Sequence, residues 1–325
     1  MNCLRSNSED DKMKKIKFRL SRLFGAMIGV VMVTFVSDAV RRTLVDVDLE
    51  DCVKDQGSFY HVGTIDKPDG EVLNNPTDDK GVEKLGSSPK AYGKENIYVG
   101  VLVPANENIP IYRDETISSV NLADVKNEFY SVLGESLPLN DDAAEAFNAM
   151  MAGYGNATDL ADFAVYGTDS TVAGEGSPCP ELYPDCVSGN TVDVALVGWG
   201  SVISYDGMDA EGWVVENCSN YGYIVRYPTG KSDVTGESYC PWHLRYVGQP
   251  HALIMAANNF CLEEYVEYLK QFSQESPLES KVGETVYKIY SVPSAGDVTY
   301  IDAPLKGNFD VSGDGKSGYI VTVRE

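Results

Sequence analysis

Apolar positions along the chain fall into three regimes. The first is one uncharged run, LFGAMIGVVMVTFV, from Leu23 to Val36, with Leu20 before it and Ala39–Val40 after it. The second, residues 41–93, is polar and rich in Asp, Gly, Pro and Lys, as in DKPDGEVLNNPTDDKG. Such a stretch has too little to bury and predicts a stalk or loosely ordered linker. From residue 94 onward, short apolar segments alternate with turn residues, which predicts a packed domain.

Within that domain IYVGVLV, Ile97–Val103, predicts a strand because it is apolar and β-branched. Asp141–Tyr154 predicts a helix. It opens on acidic residues and sets Ala144, Phe147, Met150 and Met151 at helical spacing. ADFAVYG (161–167) and TVDVALVGW (191–199) predict strands, separated by a loop holding Pro178, Cys179, Pro180 and Pro184. AEGWVVENCSNYG predicts a helix closed by Gly222. YIVRY and WHLRYV predict two strands, and HALIMAANN and LEEYVEYLKQF two closing helices. From Glu279 the period becomes two in TVYKIYSVP, GDVTYID and SGYIVTV, which predicts a small β appendage over 279–325. No internal repeat interrupts this order.

Composition and charge change the picture at the N-terminus. The chain has 325 residues, 43% of them apolar, enough for one main core with extensions. Its net charge of -23 repels nucleic acid and argues against a phosphate-binding role. Residues 1–22 run the other way, with seven basic groups against three acidic ones. A basic flank before an apolar run predicts a cytoplasmic tail over 1–22 and a signal anchor over 23–40, with all that follows outside the cell membrane. The apolar run is shorter than the roughly 20 residues of a full span, and snorkelling of Arg19 and Arg22 extends it. A cleaved signal peptide is the rival reading, but Ser37–Asp38 leads into Arg41–Arg42 without a small-residue cleavage site. Of seven cysteines, Cys3 falls inside, and Cys52, Cys179, Cys186, Cys218, Cys240 and Cys261 fall outside. They permit up to three disulfides or stand as buried apolar thiols.

One stretch is specific. Asn220–Leu269 contains YIVRYP, CPWHLRYVG, HA and LEEYV in that order. It resembles the C-terminal half of the VanY-type zinc D-alanyl-D-alanine carboxypeptidases, which show RYP, E-P-W-H-x-RYVG, HA and LEEYL. The likeness extends faintly back to about residue 95. It implies an α+β domain over 94–275, an antiparallel sheet flanked by helices, acting on the terminal D-Ala of peptidoglycan stem peptides. In that family S-x-H-x-x-G-x-A-x-D supplies a His and an Asp to zinc, and E-x-W-H supplies the third ligand and the general base. Three protein ligands leave the metal one open position for a water, and a carboxylate beside it takes the proton.

Carried over residue by residue, the resemblance places His243 and Asp193 on two metal ligands. Gly189 falls on the motif glycine, and Trp242 beside the second motif's His. The first His ligand falls on Cys186 and the general-base Glu on Cys240. The leading Ser falls on Pro184, and the Arg of the upstream S-x-Y-R on Gly167, after Tyr166. Trp242, Tyr166 and Tyr246 would floor the old cleft. Three readings follow from the resemblance. In the first, catalysis is lost, no cofactor remains, and Cys186 and Cys240 form a disulfide where zinc sat. In the second, Cys186, Asp193 and His243 retain zinc, with Cys240 able to close the site as a structural fourth ligand. In the third, an active D,D-carboxypeptidase persists. The partner implied is a peptidoglycan peptide or another envelope protein. His251 reads as a helix-start residue outside both motifs. FDVSGDGKSG lacks the closing Glu of a calcium loop. No serine stands in a G-x-S-x-G context.

Overall fold

The computed structural model describes residues 87–168, 183–198, 200–208, 210–304 and 308–325. The basic tail, the apolar run and the linker up to residue 86 lie outside the described residues, as do Cys3, Cys52, His61 and Cys179. Among the described residues no helix is long and apolar enough to cross a membrane.

The order begins with β1 (Ser87–Gly93), β2 (Ser119–Asn121), β3 (Tyr130–Val132), β4 (Pro138–Asn140) and helix α1 (Asp141–Thr158). It continues through β5 (Phe163–Gly167), β6 (Thr191–Gly198), β7 (Ser201–Ser204), α2 (Trp213–Asn217), β8 (Tyr223–Tyr227) and β9 (Cys240–Tyr246). Helices α3 (His251–Asn258) and α4 (Leu262–Leu269) follow. Strands β10 (Leu278–Val282), β11 (Thr285–Pro293), β12 (Val298–Pro304), β13 (Asn308–Gly313) and β14 (Gly318–Arg324) close the chain. The central sheet runs β3-β5-β6-β9-β8, with β7 folded back on β6. Every pairing in it is antiparallel except β3 with β5. The expected α+β class, an antiparallel sheet flanked by helices, is what forms.

Helix α1 runs four residues past its predicted end and stops where Asp159 turns left-handed at φ 59. Its Phe147, Met150, Met151 and Tyr154 pack on Phe163, Val165, Val192, Val194 and Leu244 of the sheet. These side chains lie on one stripe of a 3.6-residue period, which is why one helix covers one sheet face. A second core joins α3 and α4 to the C-terminal strands, with Met255, Leu262, Tyr265 and Leu269 meeting Leu278, Ile289 and Ile320.

Two expectations need correction. Ile97–Val103 is not a strand: Lys94–Tyr98 forms a 3-10 turn, and the chain continues irregularly. Leu102 and Val103 are buried as their apolarity requires, but the carbonyls of Gly100 and Val101 accept from the Arg245 guanidinium rather than from a neighbouring strand. The end of the supposed linker, Ser87–Gly93, is strand β1, paired antiparallel with β12. Of the strands expected after Glu279, TVYKIYSVP and SGYIVTV join the sheet β10-β11-β14-β13, while GDVTYID lies in β12 and pairs with β1. That sheet shares the second core with α3 and α4.

His251 opens α3 and ties these parts together. Its Nδ1 meets the Tyr265 hydroxyl at 2.9 Å and its Nε2 the Thr322 hydroxyl at 3.0 Å. Burial without a charged partner pushes its pKa down to about 3. The folded state therefore holds it neutral, while the unfolded chain takes up a proton below about 6.5. Its stabilisation is fully present above pH 6.5 and is lost as pH falls toward 3, at up to about 1.4 kcal/mol per pH unit. Urea denaturation at pH 7 and pH 5 is expected to show this loss, and His251→Gln is expected to flatten it.

Candidate metal centre

The site is built where β6 and β9 lie side by side. Asp193 on β6 and His243 on β9 are direct cross-strand partners, so their side chains share a sheet face. Their atoms meet, Asp193 Oδ1 to His243 Nδ1, at 2.5 Å. Cys186 arrives from the 3-10 turn Pro184–Ser188, which Pro184 starts and which Gly189 ends at φ 71. A glycine suits that left-handed position, and the turn directs residues 185 and 186 inward. Asp193 thus meets His243, while the group of three whose ligand-type atoms approach one another takes Asp185 in place of Asp193. Ligand-type atoms of Asp185, Cys186 and His243 lie within 4.8 Å of one another.

The disulfide expected between Cys186 and Cys240 is absent. Cys186, Cys218, Cys240 and Cys261 all carry reduced, buried thiols. The Cys240 Sγ instead stands 2.9 Å from the Tyr183 hydroxyl. Tyr183 and Tyr227 share an apolar cluster with both thiols, and both rings pack against the His243 imidazole, at centroid distances of 4.4 and 5.5 Å. Aromatic walls, rather than a bridge, enclose the site. Cys218 sits near the Val215 carbonyl, and Cys261 caps α4 with Glu264. Neither forms the disulfide it was a candidate for.

Asp185 was not singled out from the sequence, yet it organises the centre. It is wholly buried. Its Oδ1 meets His243 Nε2 at 3.1 Å. Its Oδ2 accepts from Arg245 Nη1 at 3.1 Å and pairs with Arg226 Nε at 3.5 Å. Arg226 in turn makes two hydrogen bonds to Glu263, at 2.7 and 3.2 Å, and one to the Ala105 carbonyl. Burial alone would raise the Asp185 pKa, but His243, Arg245 and Arg226 outweigh it and hold the group ionised. Burial alone would lower the His243 pKa. Asp185 and Asp193 outweigh it and push it up to about 9. Burial, then Asp193, then Asp185 push the Cys186 thiol pKa up, so the metal-free site keeps a neutral thiol. The signal missed in the sequence was a charged residue inside each of two apolar strands, Arg226 in YIVRY and Arg245 in WHLRYV. A fully buried cation demands an anion nearby.

Of the predicted cleft residues, Tyr166 and Trp242 do line one small cavity, of about 30 Å³, together with Val194, Ser204 and Tyr205. Tyr246 does not. It packs against Tyr223, with ring centroids 5.4 Å apart, near the other end of β9. Gly167, the position of the family's carboxylate-binding Arg, lies against Asp193, where a Cβ would stand 3.0 Å from Oδ2.

The donor set fits zinc. A thiolate, an imidazole nitrogen and a carboxylate oxygen are all common zinc ligands. The 2.5 Å approach of Asp193 Oδ1 to Nδ1 is that of a shared proton, which a bound metal would have to displace. The hydrogen bond from Nε2 to a carboxylate is the support that metal-bound histidines ordinarily have.

Residues 187–249 match the VanY family model, described as D-alanyl-D-alanine carboxypeptidase. A D-alanyl-D-alanine carboxypeptidase of Enterococcus faecium is 32% identical over 247 residues, which cover 72% of this chain and 78% of that protein. The bifunctional D-Ala-D-Ala dipeptidase and D-Ala-D-Ala carboxypeptidase VanXYC of Enterococcus gallinarum is 51% identical over 57 residues, 18% of this chain and 30% of its own. Among solved structures, the vancomycin resistance D,D-dipeptidase VanXYg in complex with a D-Ala-D-Ala phosphinate analogue superposes with a TM-score of 0.62. It is 22% identical and covers 74% of this chain and 100% of its own. That likeness concerns the fold.

Proposed function

Because this chain belongs to the VanY family of D-alanyl-D-alanine carboxypeptidases, we propose that it is a zinc-holding, peptide-binding member of the cell envelope that has lost hydrolytic power. The observation that carries this reading is the Cys240 thiol, set against the Tyr183 hydroxyl where the family has its general-base carboxylate. A thiol is a poor substitute, because it gives no anionic oxygen to take a proton from water. Cys186, Asp193 and His243 would hold the zinc. Bound there, zinc would supply Lewis acidity toward a carbonyl oxygen. The chain's own residues then orient and enclose. Asp185 holds His243, Tyr183 and Tyr227 cover its ring, and Tyr166 and Trp242 offer aromatic surface to a peptide.

The stem peptide as ligand is inferred from the family. Placement at the outer face of the cell membrane, through the apolar run 23–40, is supported by the basic flank before that run. The test is metal analysis together with titration of a stem pentapeptide. One zinc per chain and saturable peptide binding without D-Ala release are expected. Absence of zinc after reconstitution sinks the ligand set, and rapid D-Ala release sinks the loss of hydrolysis.

Zinc uptake must displace protons from the Cys186 thiol and from His243, both of whose pKa values lie above the ordinary ones. Affinity is therefore expected to fall steadily as pH is lowered from 9 to 6. Competition with a chromophoric chelator reads this directly. Cys186→Ser is expected to weaken binding at every pH.

A further inference from the structure

We propose that the free edge of β7 is a docking edge for a partner protein, taking an extended, basic segment that adds to the sheet as one more strand. The proposal goes beyond the metal and peptidase reading and uses none of its ligands. Among the described strands β7 pairs with β6 alone. In an antiparallel ladder alternate residues bond to the partner strand, so the others turn their N–H and C=O groups outward. All four residues of β7, SVIS, are exposed. Val202 is 44% exposed, Ile203 52%, and Met208, just past the strand, 65%. An open edge of this kind invites pairing, and proteins commonly blunt it with charge. The edge strands of the C-terminal sheet do so, β10 with Glu279 and Lys281 and β13 with Asp310. β7 carries no charged residue. Ser204 at its end helps line the cavity beside Trp242 and Tyr166, and Val202 and Ile203 do not, so the apolar part of the edge is outside that cavity.

Charge selects the occupant. Residues 127–225 hold sixteen acidic residues and no Lys, Arg or His. They build the chain from β3 through α2, β7 included. Asp206 lies two residues past β7, and the hydroxyl of Tyr205 donates to the Glu211 carbonyl. Arg226 and Arg245, on β8 and β9, are buried and held by Asp185 and Glu263, so they offer this surface no charge. A second copy is a poor occupant. Pairing edge to edge would set one acidic half against another, and like charges juxtaposed across an interface are strongly unfavourable. The basic tail, residues 1–22, has the right charge, but on the signal-anchor reading it lies across the membrane. A basic strand from another protein meets both demands: its backbone completes the ladder, and its side chains answer the acidic surroundings. A four-residue strand forms few ladder bonds, so charge supplies much of the affinity and salt weakens it.

The test titrates the full chain into a fluorescent, end-capped decapeptide of alternating valine and lysine, read by anisotropy. Saturable binding that weakens as salt rises is expected, with or without zinc. The matching valine–glutamate peptide is expected not to bind. A fully N-methylated valine–lysine peptide keeps the charge but cannot form the ladder, and it is expected to bind about 10-fold or more weakly. Ile203→Lys puts a cation on an exposed position of the edge and is expected to weaken the parent peptide by a similar factor. Equal binding of the N-methylated peptide reduces the effect to general charge attraction and overturns the proposal, even if the variant fails to fold. Binding of the glutamate peptide, or no binding of the lysine one, overturns it too. Sedimentation showing that the parent dimerises and that Ile203→Lys is monomeric would assign the edge to a second copy instead. A chain that takes up no zinc overturns the metal reading and leaves this one standing.

Discussion

Cys240→Glu, combined with Tyr183→Phe, is expected to raise D-Ala release from a stem pentapeptide by about 10²- to 10⁴-fold over the parent. That range is what a positioned general base ordinarily contributes. The second change is needed because the Tyr183 hydroxyl stands 2.9 Å from the Cys240 sulfur, and a carboxylate needs that space. Position 240 opens β9 directly beside the strand position that carries Tyr227, whose ring stacks on His243 at an interplanar angle of 13°. A carboxylate introduced there enters the same enclosed cluster as the metal ligands. No gain from the restored base would locate the lost function elsewhere.

Arg226→Leu is expected to destabilise the fold by about 3–5 kcal/mol, the usual result of removing one partner from a buried ionic group. Arg226 is fully buried and holds Glu263, Asp185 and the Ala105 carbonyl at once. Its loss leaves two carboxylates short of a cation in a low-dielectric interior. The double variant Arg226→Leu with Glu263→Leu is expected to lose less than the single one, because it removes an anion with the cation. Urea denaturation of the three proteins closes the cycle. Equal losses for the single and double variants would mean that packing, not charge, explains the cost.

Much of the fold could be read from the sequence because periodicity and burial agree. Phe147, Met150 and Met151 lie on one helical stripe, and TVYKIYSVP and SGYIVTV form the paired strands β11 and β14. Ile97–Val103 misled because apolar content reports burial, not hydrogen-bond partners, and here the partner is the Arg245 side chain. Ser87–Gly93 misled in the opposite sense. A two-stranded pairing with β12 asks little of its side chains, so a polar strand passes for linker. At the site, motif positions brought Asp193 to His243, but the carboxylate grouped with both Cys186 and His243 is that of Asp185. They failed for the cysteine pair, because a motif states which residues approach a metal and says nothing of the tyrosines clustered with both thiols. Asp185 stayed hidden for a related reason. Its role depends on arginines 41 and 60 residues away in sequence, and only the sheet register brings them into contact.

The most direct measurement is D-Ala release from a stem pentapeptide by the zinc-reconstituted parent chain, followed at neutral pH. The account predicts release at least about 10²-fold slower than that of the Cys240→Glu, Tyr183→Phe variant. Turnover by the parent of about 1 s⁻¹ or more, the ordinary range for enzymes, and abolished by a chelator, would contradict it.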